Sequence, residues 1–204
     1  MDFYKEPLAP GIIVYHNVLE DPKGFISDIE GLVEINNLEW VSGSSSDANL
    51  ATGESSVTQK IRDVHAINIP SYNRHPHLRE QGGSPTLFVH DFLMENVYPI
   101  ASDYATDHGI LSYASGENWQ LLKYGKGQHF VNHVDDSKAY PRTFSMSFYL
   151  NDDYEGGEIE FPRFDLKIKP GENMAIMFPA NYVYNHIVHP VLEGTRYTVV
   201  NWFE

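Results

Sequence analysis

Apolar and polar positions change rhythm near the middle of the chain. Early on they alternate between strand-like and helix-like periods. Gly11–Leu19 (GIIVYHNVL) is a β-branched run that predicts a strand, and Asp21 and Pro22 then supply the cap and first turn of a helix. That helix carries Phe25, Ile26, Ile29, Leu32 and Val33 at the three-and-four spacing of a face packed on one side. Ile61–Pro70 predicts another strand. Pro85–His108 predicts a second helix directing Leu87, Phe88, Phe92, Leu93, Val97, Ile100, Ala101 and Tyr104 inward. Two stretches have no period. Residues 42–59 are small and polar, long enough for a lid or a disordered insert, and residues 72–84 hold Pro76, Gly82 and Gly83. Substrate contacts are expected on these two loops.

From Glu117 onward the pattern is almost wholly β, with eight short runs separated by turn chemistry such as Gly125-Lys126-Gly127, Pro170-Gly171 and Glu193-Gly194. Eight strands in so short a span predict a double-sheet jelly roll, or double-stranded β-helix. The expected fold class is mainly β with flanking helices (α+β). We read residues 1–204 as one domain, in which 1–116 support the core and carry substrate loops and 117–204 form the jelly-roll catalytic core. In the run Thr143–Asn151, Phe144, Met146, Phe148 and Leu150 share one face. Thr143, Ser145, Ser147 and Tyr149 share the other, which is small and hydroxylated and leaves room for a polar ligand.

Charge narrows the classes of partner. Lys and Arg total 14 against 28 Asp and Glu, a formal net charge of −14, which repels a phosphate backbone and an anionic bilayer alike. Neither nucleic acid nor a membrane is the expected partner. No segment approaches the roughly 20 apolar residues of a transmembrane helix, and the N-terminus lacks the pattern of a signal peptide, so a cytoplasmic location is the expectation. The absence of Cys leaves His and carboxylates as the strong metal ligands.

His133 and Asp135 are two apart in a predicted strand, so both point to one face. Such a pair also arises as an ordinary polar surface feature. His186, in another predicted strand, offers a third ligand, and two imidazoles with one carboxylate suit a non-haem Fe(II) oxygenase, with zinc open on ligand type alone. Arg196 presents a planar fork that grips a carboxylate. Placed in a facing sheet about 10 Å away, it would approach from the wall opposite the metal, with the Tyr149 phenol beside it. A plain hairpin across Glu193-Gly194 would instead put Arg196 and His186 on opposite faces.

Taken in order, several motifs resemble the 2-oxoglutarate- and Fe(II)-dependent dioxygenases of the prolyl 4-hydroxylase type. They are Tyr124-Gly125-Lys126-Gly127-Gln128-His129-Phe130 leading into His133-Val134-Asp135, Arg142-Thr143-Phe144 into Tyr149-Leu150-Asn151, Gly156-Gly157-Glu158, Pro170-Gly171, and His186 through Tyr197 to Trp202. The resemblance implies that His133, Asp135 and His186 bind iron and that Arg196 holds the distal carboxylate of 2-oxoglutarate. Tyr149 would assist Arg196, Tyr124 would sit beside the cosubstrate, and Arg142 and Trp202 would stand at the substrate end of the pocket. His189 is the rival third ligand. The implied reaction consumes O2 and 2-oxoglutarate, releases succinate and carbon dioxide, and hydroxylates a C–H bond, with ascorbate as an optional reductant. A prolyl residue of a peptide or protein is the first substrate implied, and a free amino acid or other small molecule the alternative. A non-enzymatic jelly-roll binding module has no need of Arg196, and a zinc hydrolase would want a nearby general base that the sequence does not offer.

Overall fold

The computed structural model describes residues 3–35, 37–42, 62–72, 77, 84–113 and 118–204. The loops expected at 42–59 and 72–84 lie almost entirely outside the described residues. The chain begins with the hairpin β1 (Tyr4–Ala9) and β2 (Ile12–His16), then α1 (Pro22–Glu34). The short strands β3 (Val41–Ser42), β4 (Arg62–Asp63) and β5 (His65–Ile69) precede the helices α2 (Pro85–Asn96) and α3 (Pro99–Asp107). After these come β6 (Trp119–Tyr124), β7 (His129–His133), β8 (Phe144–Tyr149), β9 (Glu155–Gly156) and β10 (Ile159–Phe161). The last strands are β11 (Leu166–Ile168), β12 (Met174–Pro179), β13 (His186–Val188), β14 (Val191–Glu193) and β15 (Arg196–Phe203).

The strands form a jelly roll. The major sheet has the order β1-β2-β12-β8-β15-β6-β5-β3, the minor sheet β11-β10-β13-β7-β4, and β14 pairs with β9 alone. The central strands of the major sheet, β2, β12, β8 and β15, are covered on both faces. Ile13, Tyr15, Phe144, Met146, Phe148, Ala175, Met177 and Val199 face a core completed by Phe25, Ile29, Val89, Leu93, Ile100 and Tyr104 of the helices. Their alternates, Ile12, Val14, Tyr149, Ile176 and Phe178, face Ile159 and Phe161 of the minor sheet. At the other end Leu122, Tyr124, Val200 and Trp202 meet Val188 and Val191. The small polar face of β8 turns toward the space between the sheets, where Ser147 and Tyr149 line a pocket.

Several local expectations change. The N-terminal strand β1 escapes sequence patterning because Lys5, Glu6 and Pro7 are polar or lack a donor, as befits an exposed edge. The strand expected over Gly11–Leu19 ends at His16, where Asn17 turns left-handed at φ 59°. Ile61–Pro70 splits around Val64 into β4 and β5, which belong to different sheets. The single helix expected over Pro85–His108 breaks before Pro99, which cannot donate to the preceding turn, so α2 ends and α3 begins. Its face also rotates: Phe88 is 62% exposed, whereas Val89 and His90 are buried. The Asp21 cap holds, with its Oδ1 accepting from the Gly24 amide at 2.8 Å. No helix among the described residues is long and apolar enough to cross a membrane.

Candidate metal centre

β7 and β13 are antiparallel neighbours whose register sets His133 opposite His186. Directly opposed residues have Cβ atoms about 5 Å apart, and the two rings meet at a centroid distance of 4.1 Å. Asp135 is not part of the strand. β7 stops at His133, and the chain then bends, held by the Arg142 Nη1 donating to the Asp135 carbonyl at 2.8 Å and by the Asp136 amide donating to the Ala180 carbonyl at 3.0 Å. This turn, rather than strand alternation, brings the carboxylate back to the imidazoles. Asp135 Oδ1 lies 3.7 Å from His133 Nε2, and Oδ2 lies 3.9 Å from His186 Nε2. One ligand atom from each of the three residues falls within 4.8 Å of the others, and no other group of three His, Asp or Glu does so among the described residues.

The hydrogen bonds orient both rings. Nδ1 of His133 is 2.8 Å from the Val131 carbonyl and Nδ1 of His186 is 3.1 Å from the Tyr184 carbonyl. A carbonyl only accepts, so each Nδ1 carries a proton and each Nε2 is turned toward Asp135. Burial, reinforced by the neighbouring His186, pulls the His133 pKa down to about 3. Burial pushes the Asp135 carboxyl up, but His186, His133 and Arg142 outweigh it and hold the group below the usual carboxylate value. At neutral pH an anion and a lone pair from His133 therefore face a small shared space beside His186. A divalent cation fits this donor set, and two nitrogens with one oxygen suit iron.

Arg196 enters from the facing sheet. β13 and β15 do not form the plain hairpin, because β14 intervenes and pairs with β9. Arg196 is 1% exposed, its Nη1 donates to the Gly157 carbonyl at 2.7 Å, and its guanidinium sits 4.1 Å from the Tyr124 ring centroid and 5.6 Å from that of Tyr149. Its Nε and the buried hydroxyl of Thr198, two residues along the same face, have no hydrogen-bond partner. Among the described residues no carboxylate forms a salt bridge with Arg196. A buried cation without a counter-charge costs several kcal/mol, and the open Nε–H of Arg196 could take an acceptor from a ligand. Burial pushes the Tyr149 phenol up, which keeps it a donor.

The cradle of Arg196 is itself clamped. Gly156 and Gly157 adopt φ 71° and 67°, and a Cβ on Gly157 would meet Tyr154 Cε2 at 3.0 Å and Arg196 Cδ at 3.4 Å. From the other side Lys169 Nζ donates to the Tyr154 carbonyl at 2.9 Å and the Gly156 carbonyl at 2.6 Å.

His133, Asp135, His186, Arg196, Tyr149, Tyr124 and Trp202 all line one pocket between the sheets. Arg142 does not line it; its guanidinium stacks 4.2 Å from the Trp202 ring. His189 stands apart, with Nε2 2.6 Å from Glu160 Oε2. Arg62, Thr198 and Phe130, the last named in the sequence only as the end of a motif, also line the pocket. Phe130 stacks on His133 at 3.4 Å. Thr198 had a signal, its place two residues after Arg196; Arg62 had none, since its position depends on which sheet β4 joins.

Residues 119–204 match the family model of the 2OG-Fe(II) oxygenase superfamily. A PKHD-type hydroxylase of Prochlorococcus marinus (strain AS9601) is 33% identical over 99 residues, covering 48% of this chain and 42% of that protein. Human prolyl 3-hydroxylase 2 is 39% identical over 67 residues, covering 30% of this chain and 10% of that protein. The chain thus spans less than half the length of these curated relatives. In fold it resembles a Trichoplax adhaerens prolyl hydroxylase solved with a hypoxia inducible factor oxygen degradation domain peptide fragment, with TM-score 0.69, 17% identity, and coverage of 95% of this chain and 83% of that one. A Pseudomonas putida prolyl-4-hydroxylase gives TM-score 0.57, 16% identity and coverage of 95% and 92%.

Proposed function

We propose that this protein, whose residues 119–204 match the family model of the 2OG-Fe(II) oxygenase superfamily, is a 2-oxoglutarate- and Fe(II)-dependent hydroxylase acting on a prolyl residue of a peptide or protein. The observation that carries the reading is the opposition of a His133–Asp135–His186 cluster and the buried guanidinium of Arg196, which has no carboxylate partner among the described residues, across one pocket. A metal-binding module has no use for that cation, whereas a keto diacid needs both walls. We take residues 1–204 as one domain, with β1, β2, β3 and β5 completing the sheet that carries Arg196.

In this reading His133 Nε2, His186 Nε2 and an Asp135 oxygen hold Fe(II), which when bound supplies dioxygen activation coupled to decarboxylation of 2-oxoglutarate to succinate and carbon dioxide. Arg196 takes the distal carboxylate through its free N–H groups, with Tyr149 donating from the same wall and Tyr124 bounding the cosubstrate. The inner faces of β8 and β15 exclude water and orient the keto acid toward the cluster. Trp202 and Phe130 flank the substrate end with aromatic surface suited to a pyrrolidine ring. Arg142 serves here by supporting Trp202 and the Asp135 turn. Ascorbate would act only to restore ferrous iron. A prolyl target rests on the names of the relatives and fold neighbours; the metal core alone would equally serve a free amino acid.

The test is incubation with Fe(II), 2-oxoglutarate and oxygen against proline-containing peptides and free amino acids, following succinate and the mass gain of one oxygen atom. Succinate release with oxygen inserted at proline supports the proposal. No succinate under any condition rejects it.

A further inference from the structure

Arg62 is the first residue of β4, at the edge of the minor sheet, where it pairs across from Phe130 of β7. Its side chain leaves that sheet and reaches the other. Nη2 donates to the Gln120 side-chain oxygen on β6 at 2.9 Å, so Arg62 bridges the two walls of the pocket. The guanidinium stands 5.4 Å from the centroid of Phe130, the ring that stacks on His133. Its Nε is shielded from water and has no acceptor, and among the described residues no carboxylate forms a salt bridge with it. The chain has 28 acidic residues to 14 basic ones, so the lack of a carboxylate partner here among the described residues is not a shortage of carboxylates.

A divalent cation and Arg196 balance Asp135 and a dianionic keto diacid, which leaves the metal and cosubstrate end neutral overall. Arg62 is then a surplus positive charge in the pocket, beside Phe130. A half-buried cation with an unused N–H binds a carboxylate about twice as strongly as a neutral carbonyl, and its strand position fixes where that carboxylate must lie.

We infer that Arg62 receives a carboxylate of the substrate, so that the preferred target is a C–H bond close to an acidic group. The inference rests on the hydroxylase reading above and names the substrate class of the same site. Two sources carry this chemistry, an acidic side chain next to the target residue in a peptide and the α-carboxylate of a free amino acid.

The experiment uses the full chain with Fe(II) and 2-oxoglutarate. Matched proline peptides with Glu or Lys beside the proline, and free L-proline beside L-prolinamide, are compared by kcat/KM in the unmodified protein, in Arg62→Met and in the charge-swapped Arg62→Glu. The expected result is at least a tenfold preference for the acidic member of one pair, lost in Arg62→Met and inverted in Arg62→Glu. Which pair shows it identifies the source. Circular dichroism and Mn(II) binding confirm that each variant is folded with its metal site intact. Equal rates on both members of each pair, or a preference that survives in Arg62→Met, overturns the inference. So does failure to convert any carboxylate-bearing probe while the unmodified protein still makes succinate, an outcome that spares the hydroxylase reading. If no succinate forms at all, that reading falls, and this one with it.

Discussion

His133 and His186 stand directly opposite each other on adjacent antiparallel strands, their ring centroids 4.1 Å apart, with Asp135 folded back between them. A cross-strand pair is among the most rigid ways to hold two ligands, because ladder hydrogen bonds fix the distance before any metal arrives.

Metal binding should therefore stabilise the fold. At a hundredfold excess over its dissociation constant, Mn(II) as a redox-inert probe is expected to contribute about 2.7 kcal/mol, raising Tm by roughly 5–10 °C for a chain of this size. Asp135→Ala should abolish the shift. Differential scanning calorimetry with and without Mn(II) reads both.

Acid should destabilise the metal-free protein in a defined window. The His133 imidazole titrates near 6.5 when unfolded but only at about 3 when folded, chiefly through burial. Below pH 6.5 the unfolded chain takes up a proton that the folded one refuses, so stability falls as pH falls, with a slope approaching about 1 kcal/mol per pH unit. Asp135 has its folded value depressed and loses stabilisation only at still lower pH. Urea titrations in chelator between pH 7 and 4.5 should show this slope, and His133→Phe should flatten it.

Gly157 ties backbone conformation to the ligand wall. An alanine there must hold φ 67° and press on Tyr154 and on Arg196 Cδ. The expected cost is about 1–2 kcal/mol of stability, together with a rise in KM for 2-oxoglutarate that exceeds any change in kcat. Urea unfolding and steady-state kinetics on the same preparation separate the two effects.

Lys169 should act more weakly on the same wall. It grips the carbonyls of Tyr154 and Gly156 beside the residue that holds Arg196. Lys169→Met is expected to weaken 2-oxoglutarate binding about 3–10-fold, in proportion to about 1 kcal/mol of lost hydrogen bonding, with metal affinity unchanged. Isothermal titration in the presence of Mn(II) checks it.

Much of this architecture was legible in the sequence where both period and punctuation were strong. Phe144–Tyr149 alternates cleanly and Met174–Pro179 is a short continuous apolar run that follows Pro170-Gly171, and the structure makes both of them central strands. The edge strand β1 was hidden because an edge needs no apolar alternation, and the α2–α3 break because a helical period continues across Pro99 even though the hydrogen bonds cannot. At the site, His133 and Asp135 drew attention by spacing, yet Asp135 arrives through a turn held by Arg142 rather than by strand geometry. Arg62 lacked any local signature. Its place depends on β4 and β5 entering different sheets around Val64, a choice made by tertiary packing.

The central claim is that one pocket holds a metal on His133, Asp135 and His186 and a keto diacid on Arg196 at the same time. Anaerobic calorimetric titration of 2-oxoglutarate into the protein loaded with Fe(II) tests it most directly, alongside Arg196→Ala and Asp135→Ala. The account predicts one site per chain, weakened roughly 30-fold or more in Arg196→Ala, as expected for loss of a buried charge-assisted contact, while Arg196→Ala still binds the metal and Asp135→Ala does not. Binding of 2-oxoglutarate that is indifferent both to the metal and to Arg196 would contradict it.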